Sequence, residues 1–233
     1  MNPSIDNSQK KLSIVLGESE IERIPHSIQN HPQIKSFTKK RNEQASHLLL
    51  DASFHHAAMK KLPDAARRGR PDIAHRCALL TLDSWANCNG FIDLYIHTRN
   101  NEIIWINPKT RLPRQYHRFT GLLEKLFRDG KIASNEDVLL TIEKKSLDQL
   151  LQQLNGDTIL YWENGEKSTI TDIMNSYVHT HLTIVLGAFP HGDFHQAQKL
   201  IEDTFSVEEK SFPTSYLLSK TIINYEQIQL HHK

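Results

Sequence analysis

A chain of 233 residues that is 38% hydrophobic and 24% charged has the apolar content for a sizeable core, and its apolar runs are far too short to span a membrane. Its two cysteines, Cys77 and Cys88, and the lack of any zinc-ligand spacing exclude a disulfide-built or zinc-built scaffold. The opening MNPSIDNSQKK has no apolar stretch of the secretory kind, so a cytoplasmic protein with reduced thiols is expected. The net charge of +1 hides an asymmetry: residues 1–120 carry 18 Lys and Arg against 11 Asp and Glu, and the remainder carries 10 against 16. A basic half beside an acidic half suggests a polyanionic partner for the first.

In chain order, residues 12–16 (LSIVL) read as a first strand, 21–28 as a short polar helix, 47–50 (HLLL) as the start of a second strand and 54–62 as a helix. AARRG at 65–69 is a basic loop. Pro71 then stands where a helix begins, with Asp72 in the first turn, and the apolar spacing continues to Asp83. A turn at 87–90 precedes paired strands FIDLYIHT and IIWIN, joined at 99–101. The basic segment PKTRLPRQYHR leads into a helix over 113–126, stopped by Gly130. Strands are expected at 138–142, 158–162 and 183–186, and helices at 146–154, 170–177, 194–205 and 214–228. This alternation argues for a mainly parallel α/β sheet with flanking helices in a single domain over residues 1–233.

Three stretches carry chemistry. HLTIVLGAFPHGDF at 181–194 reads as strand, loop and helix start, with Gly187 and Gly192 allowing a close backbone approach to a ligand; Asp193 and Phe194 follow. It has no Lys-Ser or Lys-Thr after Gly192 and no GxGxxG, which excludes a P-loop and a dinucleotide fingerprint. Arg111, Arg114 and Arg118 are spaced three and four apart, with no Asp or Glu between Glu102 and Glu124, a pattern suited to the phosphates of RNA or DNA. Arg70, two residues before Asp72, can be held in a fixed pose by that carboxylate, which also favours the helix N-terminus. Asp83 closes CALLTLD; an apolar surround would raise its carboxyl and suit it as a general base, the competing role being a helix-end turn with Ser84. His191 and His195 lie four apart and His55 and His56 are adjacent, but no Cys or carboxylate completes a set, so no metal is expected.

Taken together, RPDIAH, TLDS, NPKTRLPRQYHRFTGL, LGAFPHG and SYLLSK resemble the small-subunit ribosomal RNA pseudouridine N-1 methyltransferases, the Nep/Emg family of the SPOUT class, over about residues 48–220. The resemblance implies a trefoil-knotted sheet and a pocket for S-adenosylmethionine built from three loops: one from Leu160 onward, one holding Gly187, Gly192, Asp193 and Phe194, and one of Val207, Glu208, Glu209, Lys210, Ser211 and Phe212. The knotted region would span about 156–233 and the RNA-binding elements about 60–120. It further implies that Arg70, Arg111, Arg114 and Arg118 contact small-subunit rRNA, with Asp72 steadying Arg70, and that the protein is a homodimer with a role in small-subunit biogenesis. The third loop, VEEKSFPTS, and YWENG after Leu160 both depart from the family pattern. An rRNA-binding assembly factor whose methylation is secondary or lost, and a SPOUT enzyme acting on other RNA, are the competing functions.

Overall fold

The computed structural model describes residues 12–177, 179–208 and 210–231. Among them, one sheet collects β1 (Leu12–Ser19), β2 (Ile92–Thr98), β3 (Glu102–Ile106), β4 (Lys131–Ser134), β5 (Asp137–Lys144), β6 (Asp157–Lys167), β7 (Leu182–Gly187) and β8 (Asp203–Ser206). Their order is β4-β5-β3-β2-β1-β7-β6-β8. The five strands β2, β1, β7, β6 and β8 run parallel, and β3, β5 and β4 extend the sheet as antiparallel neighbours. β1 is buried at every position, as a central parallel strand covered on both faces must be.

The helices are α1 (Pro32–Arg41), α2 (Ala52–Met59), α3 (Pro71–Leu82), α4 (Trp85–Cys88), α5 (Tyr116–Asp129), α6 (Leu147–Leu151), α7 (Ile170–Ser176), α8 (Ala197–Leu200) and α9 (Thr214–His231). Successive strand residues point to opposite faces. Leu12, Ile14 and Leu16 of β1 therefore join the cluster containing Ala78 of α3, Phe119 of α5 and Leu218 of α9. Val15 joins Leu147 and Leu150 of α6, Val185 of β7 and Ala197 of α8 on the other face. A third cluster, with Ile34, Leu48, Leu50 and Met59, closes α1 and α2 over the 24–62 segment.

Several expectations fail for identifiable reasons. Residues 21–28 form only a single 3-10 turn at His26–Ile28, and HLLL contributes one isolated bridge, Arg23 to Leu49, while Leu48, Leu49 and Leu50 are simply buried. Residues 194–205 have helical apolar spacing, yet only Ala197–Leu200 is helical and Asp203–Ser206 is strand β8, paired in parallel with β6. The helix expected from 113 begins at Tyr116, which leaves Arg114 in the preceding loop; its end at Gly130, with φ +77°, is as expected.

Candidate active site

The sheet and α3 enclose a cavity of about 970 Å³, of the size that holds a small organic ligand. Of the residues expected to hold a cofactor, Gly187, Gly192, Asp193, Phe194, Val207, Glu208, Lys210, Ser211 and Phe212 all line it. Leu160 does not: it is fully buried in the core, and the wall begins one residue later at Tyr161. Glu209 lies outside the described residues. Arg70 and Asp72, expected to face RNA, line the same cavity from the N-terminus of α3, together with Ile73 and Arg76. The basic half and the glycine loop thus meet at one place.

Local backbone chemistry explains how the three walls form. β6 loses register against β8 between Tyr161 and Glu166, and this bulge swings Trp162, Glu163 and Asn164 into the cavity wall. Gly165 permits it, because a Cβ there would lie 2.6 Å from the Phe205 backbone nitrogen. The departure YWENG is therefore a bulge that feeds the site. Gly192 sits at φ +85°, a conformation open to glycine, with nothing nearer to its Cβ position than Arg67 Nη1 at 3.6 Å. At Gly187 a Cβ would lie 2.7 Å from the Phe189 ring, so loop packing by itself calls for glycine there. Trp162 Nε1 donates to Asp193 Oδ1 at 2.7 Å, and the Phe194 N–H donates to the same oxygen at 2.8 Å. Thr214 Oγ1 donates to the Gly187 carbonyl, joining the start of α9 to the glycine loop. Phe212 stacks on Tyr216 and Lys220 pairs with Glu208, which orders the third wall despite its charge.

Beneath the glycine loop lies a buried ion cluster. Arg67 Nη2 donates to Glu18 at 2.9 Å and Arg67 Nε to Glu20 at 2.6 Å, Arg68 binds Glu22 through two 2.7 Å bonds, and Arg99 reaches Glu20 at 2.6 Å. Three guanidiniums face three carboxylates. AARRG is therefore part of an internal brace, and because the three arginines of that brace meet three glutamates of the same half, the basic excess of that half resides in the other residues. Sequence reasoning could not pair them, since the partners lie more than 40 residues apart.

Arg70 and Asp72 form a two-bond pair, Nε to Oδ1 and Nη2 to Oδ2, each 2.8 Å. Burial alone would raise the Asp72 carboxyl, but the hydrogen bond and charge of Arg70 outweigh it and hold the carboxyl below its ordinary value; the same hydrogen bond raises Arg70. Arg111, Arg114 and Arg118 are all exposed. Arg114 Nη2 lies 3.1 Å from Asp83 Oδ2, a local counter-charge invisible in the sequence spacing.

The apolar surround expected of Asp83 is not there. Its side chain is 52% exposed, it is ion-paired, and it caps the far end of α3 from Asp72, roughly 16 Å along the helix axis. A residue that the spacing left unassigned is His75. Its ring stacks on Phe119 with centroids 4.3 Å apart, and its Nε2–H donates to the Pro113 carbonyl at 2.8 Å, so it pins the arginine-bearing loop to α3. Burial lowers its pKa and so favours the neutral ring. Among the described residues no cluster of His, Cys, Asp and Glu could hold a metal ion, and no helix is long and apolar enough to cross a membrane.

Comparison with known proteins adds an independent finding. The family model described as EMG1/NEP1 methyltransferase matches residues 14–226. The chain is 42% identical over 220 residues to the ribosomal RNA small subunit methyltransferase Nep1 of Thermococcus kodakarensis, covering 92% of this chain and 97% of the relative. It is 36% identical over 222 residues to the Pyrococcus furiosus protein of the same name, covering 94% and 97%. The fold is similar to the crystal structure of Archaeoglobus fulgidus Nep1 bound to S-adenosylhomocysteine, with a TM-score of 0.84 and 34% identity over 95% of this chain and 99% of that one.

Proposed function

The chain belongs to the EMG1/NEP1 methyltransferase family, and on that premise we propose that this S-adenosylmethionine-dependent rRNA methyltransferase acts on N-1 of a pseudouridine in small-subunit rRNA. The observation that carries the reading is the single cavity onto which the glycine loop and the Arg70–Asp72 pair both open.

The residues present fit the cofactor. The wall offers the Gly187 to Gly192 backbone, apolar surface from Ile73, Phe205 and Val207, and the carboxylates of Glu163, Asp193 and Glu208 for a cationic ligand. S-adenosylmethionine, when bound, supplies an electrophilic methyl group. Transfer then depends on holding donor and acceptor in line, which a rigid cavity achieves by positioning. Pseudouridine has a free N-1–H because its sugar is carbon-linked, whereas uridine has its sugar on that nitrogen. The N–H proton must leave as the methyl arrives. Asp72 is ill suited to take it, being occupied by Arg70 and held at low pKa. Asp83 stands outside the cavity with Arg114. With neither Asp72 nor Asp83 placed as the base, proton loss is assigned to water, while the fixed guanidinium of Arg70 stabilises negative charge developing on the base.

Arg111, Arg114 and Arg118 are assigned to the rRNA backbone, on a segment held to α3 by the His75–Pro113 bond. The guanidiniums of Arg111 and Arg118 make no hydrogen bond or ion pair among the described residues, which suits a phosphate partner. The chain is also proposed to be knotted. β8 lies at the sheet edge beside β6, yet α9 returns to pack on α3 and α7, and its first residue, Thr214, bonds the Gly187 carbonyl, which supports a threaded chain. A homodimer is supported by Tyr216, Ile223 and Leu230, seven apart along α9 and all exposed, with exposed Leu80 on the neighbouring α3. A single domain and a cytoplasmic location complete the reading. The test is single-turnover methylation of matched rRNA hairpins carrying pseudouridine or uridine. Methylation of the pseudouridine hairpin alone is expected; equal methylation of both would overturn the substrate assignment.

A further inference from the structure

We propose that Arg67 is a positioning residue for the cofactor, a role that rests on the function just described. Its guanidinium lies 3.6 Å from the centroid of the Phe189 ring, which lines the cavity. Its Nη1 donates to the backbone carbonyl of Asp193, the residue that also accepts from Trp162. Arg67 thus holds the glycine loop at both ends, one by stacking and the other by a hydrogen bond, while it touches no part of the cavity surface itself.

The clamp is fixed from behind. Glu18, at φ +50° in β1, accepts from Arg67 and also from the backbone N–H groups of His195 and Gln196 at 2.7 and 2.8 Å. Glu20 accepts from Arg67 through its side chain and from the Arg70 backbone N–H through its carbonyl at 3.0 Å. The Arg70 N–H uses the backbone carbonyl of Glu20, so that bond does not depend on the guanidinium, whose own contacts serve the loop that faces the cofactor. Buried ion pairs contribute little net stability compared with apolar packing, and fixing a geometry is the use to which they are suited here. Arginine is required because only a planar fork can stack on Phe189, bind two carboxylates and still donate to a carbonyl; lysine retains the charge alone.

The test uses the full chain with Arg67→Lys and, as a variant that leaves the buried ion pairs in place, Phe189→Leu. Calorimetry measures S-adenosylmethionine affinity, filter binding measures affinity for the rRNA hairpin, and thermal melting reports folding. Folded Arg67→Lys is expected to bind S-adenosylmethionine about tenfold or more weakly, the scale of losing the stacking on Phe189 and the bond to the Asp193 carbonyl, with RNA affinity within about twofold of wild type. KM for S-adenosylmethionine should rise by the same factor while KM for RNA does not. Because Phe189 itself lines the cavity, Phe189→Leu is read through the double variant: Arg67→Lys/Phe189→Leu should bind S-adenosylmethionine little more weakly than the weaker single variant, and fully additive losses would overturn the clamp. Arg67→Gln takes the place of Arg67→Lys if that variant does not fold. Unchanged cofactor affinity in a folded variant, or equal losses for cofactor and RNA, would overturn the positioning role. Failure of the wild-type chain itself to bind S-adenosylmethionine would instead overturn the functional reading, and the proposal with it.

Discussion

Replacing Asp72 by Ala removes one carboxylate with three consequences, each with its own magnitude. The Arg70–Asp72 pair has two 2.8 Å bonds, but its side chains are 35% and 39% exposed, so solvent screening limits the loss to about 1 kcal/mol. The same carboxylate is the acidic group in the first turn of α3, worth roughly 0.3–1 kcal/mol. Urea denaturation should therefore show Asp72→Ala destabilised by about 1–2 kcal/mol with an unchanged slope. Because the folded Asp72 carboxyl lies below its ordinary value of 3.8, the unfolded chain binds its proton more readily. The stabilisation is thus complete above roughly pH 5 and is lost as pH falls through the folded value. The third consequence is functional: Arg70 remains but loses its fixed pose, so Asp72→Ala should weaken RNA binding about as much as Arg70→Ala, and the double mutant should lose little more. Filter binding on the same hairpin completes the cycle. Fully additive losses, or a stability difference that disappears at pH 6 instead of in acid, would refute the coupled pair.

Gly192→Val places a β-branched residue at φ +85°, at a cost of about 1–2 kcal/mol or more, and should weaken S-adenosylmethionine binding by bending the loop, with Gly192→Asn milder; calorimetry showing unchanged affinity in folded Gly192→Val would contradict this. Burial holds His55 at about 4 and His75 below 6.5. Both protonate more readily when unfolded than when folded, so stability should fall as pH drops below 6.5, for His55 toward about 4; His55→Leu should flatten that dependence in urea titrations, and an unaltered slope would count against it. Asp83→Asn should leave single-turnover methylation within about threefold of wild type, since a general base contributes ~10²-fold or more; a larger fall would restore Asp83 to the chemistry.

The parts legible in the sequence were those set by local chemistry. Pro71 and Asp72 mark the start of α3, the turn before Glu102 announces the β2–β3 pair, and Gly130 ends α5. The glycine loop and the arginine-bearing segment were legible as motifs, and most of the expected cofactor residues do line one cavity. What was hidden depends on contacts distant in sequence. Residues 194–205 carry helical spacing, but Glu18 takes the N–H groups of His195, Gln196 and Ala197, and β6 recruits Asp203–Ser206 as a strand. The edge strand β4 is four residues long and mostly exposed, so it gives almost no periodic signal. AARRG read only as a basic loop because the carboxylates that Arg67 binds are 47 and 49 positions away. Asp83 looked desolvated because an apolar run precedes it, yet helix α3 ends there and turns its side chain to solvent beside Arg114.

The most direct measurement is nucleoside mass spectrometry of small-subunit rRNA from cells with and without the protein. The account predicts one pseudouridine that carries an N-1 methyl group in the first and remains as unmethylated pseudouridine in the second, with the methyl restored by wild-type protein but not by a folded Gly192→Val variant. An rRNA modification profile identical in both would contradict it.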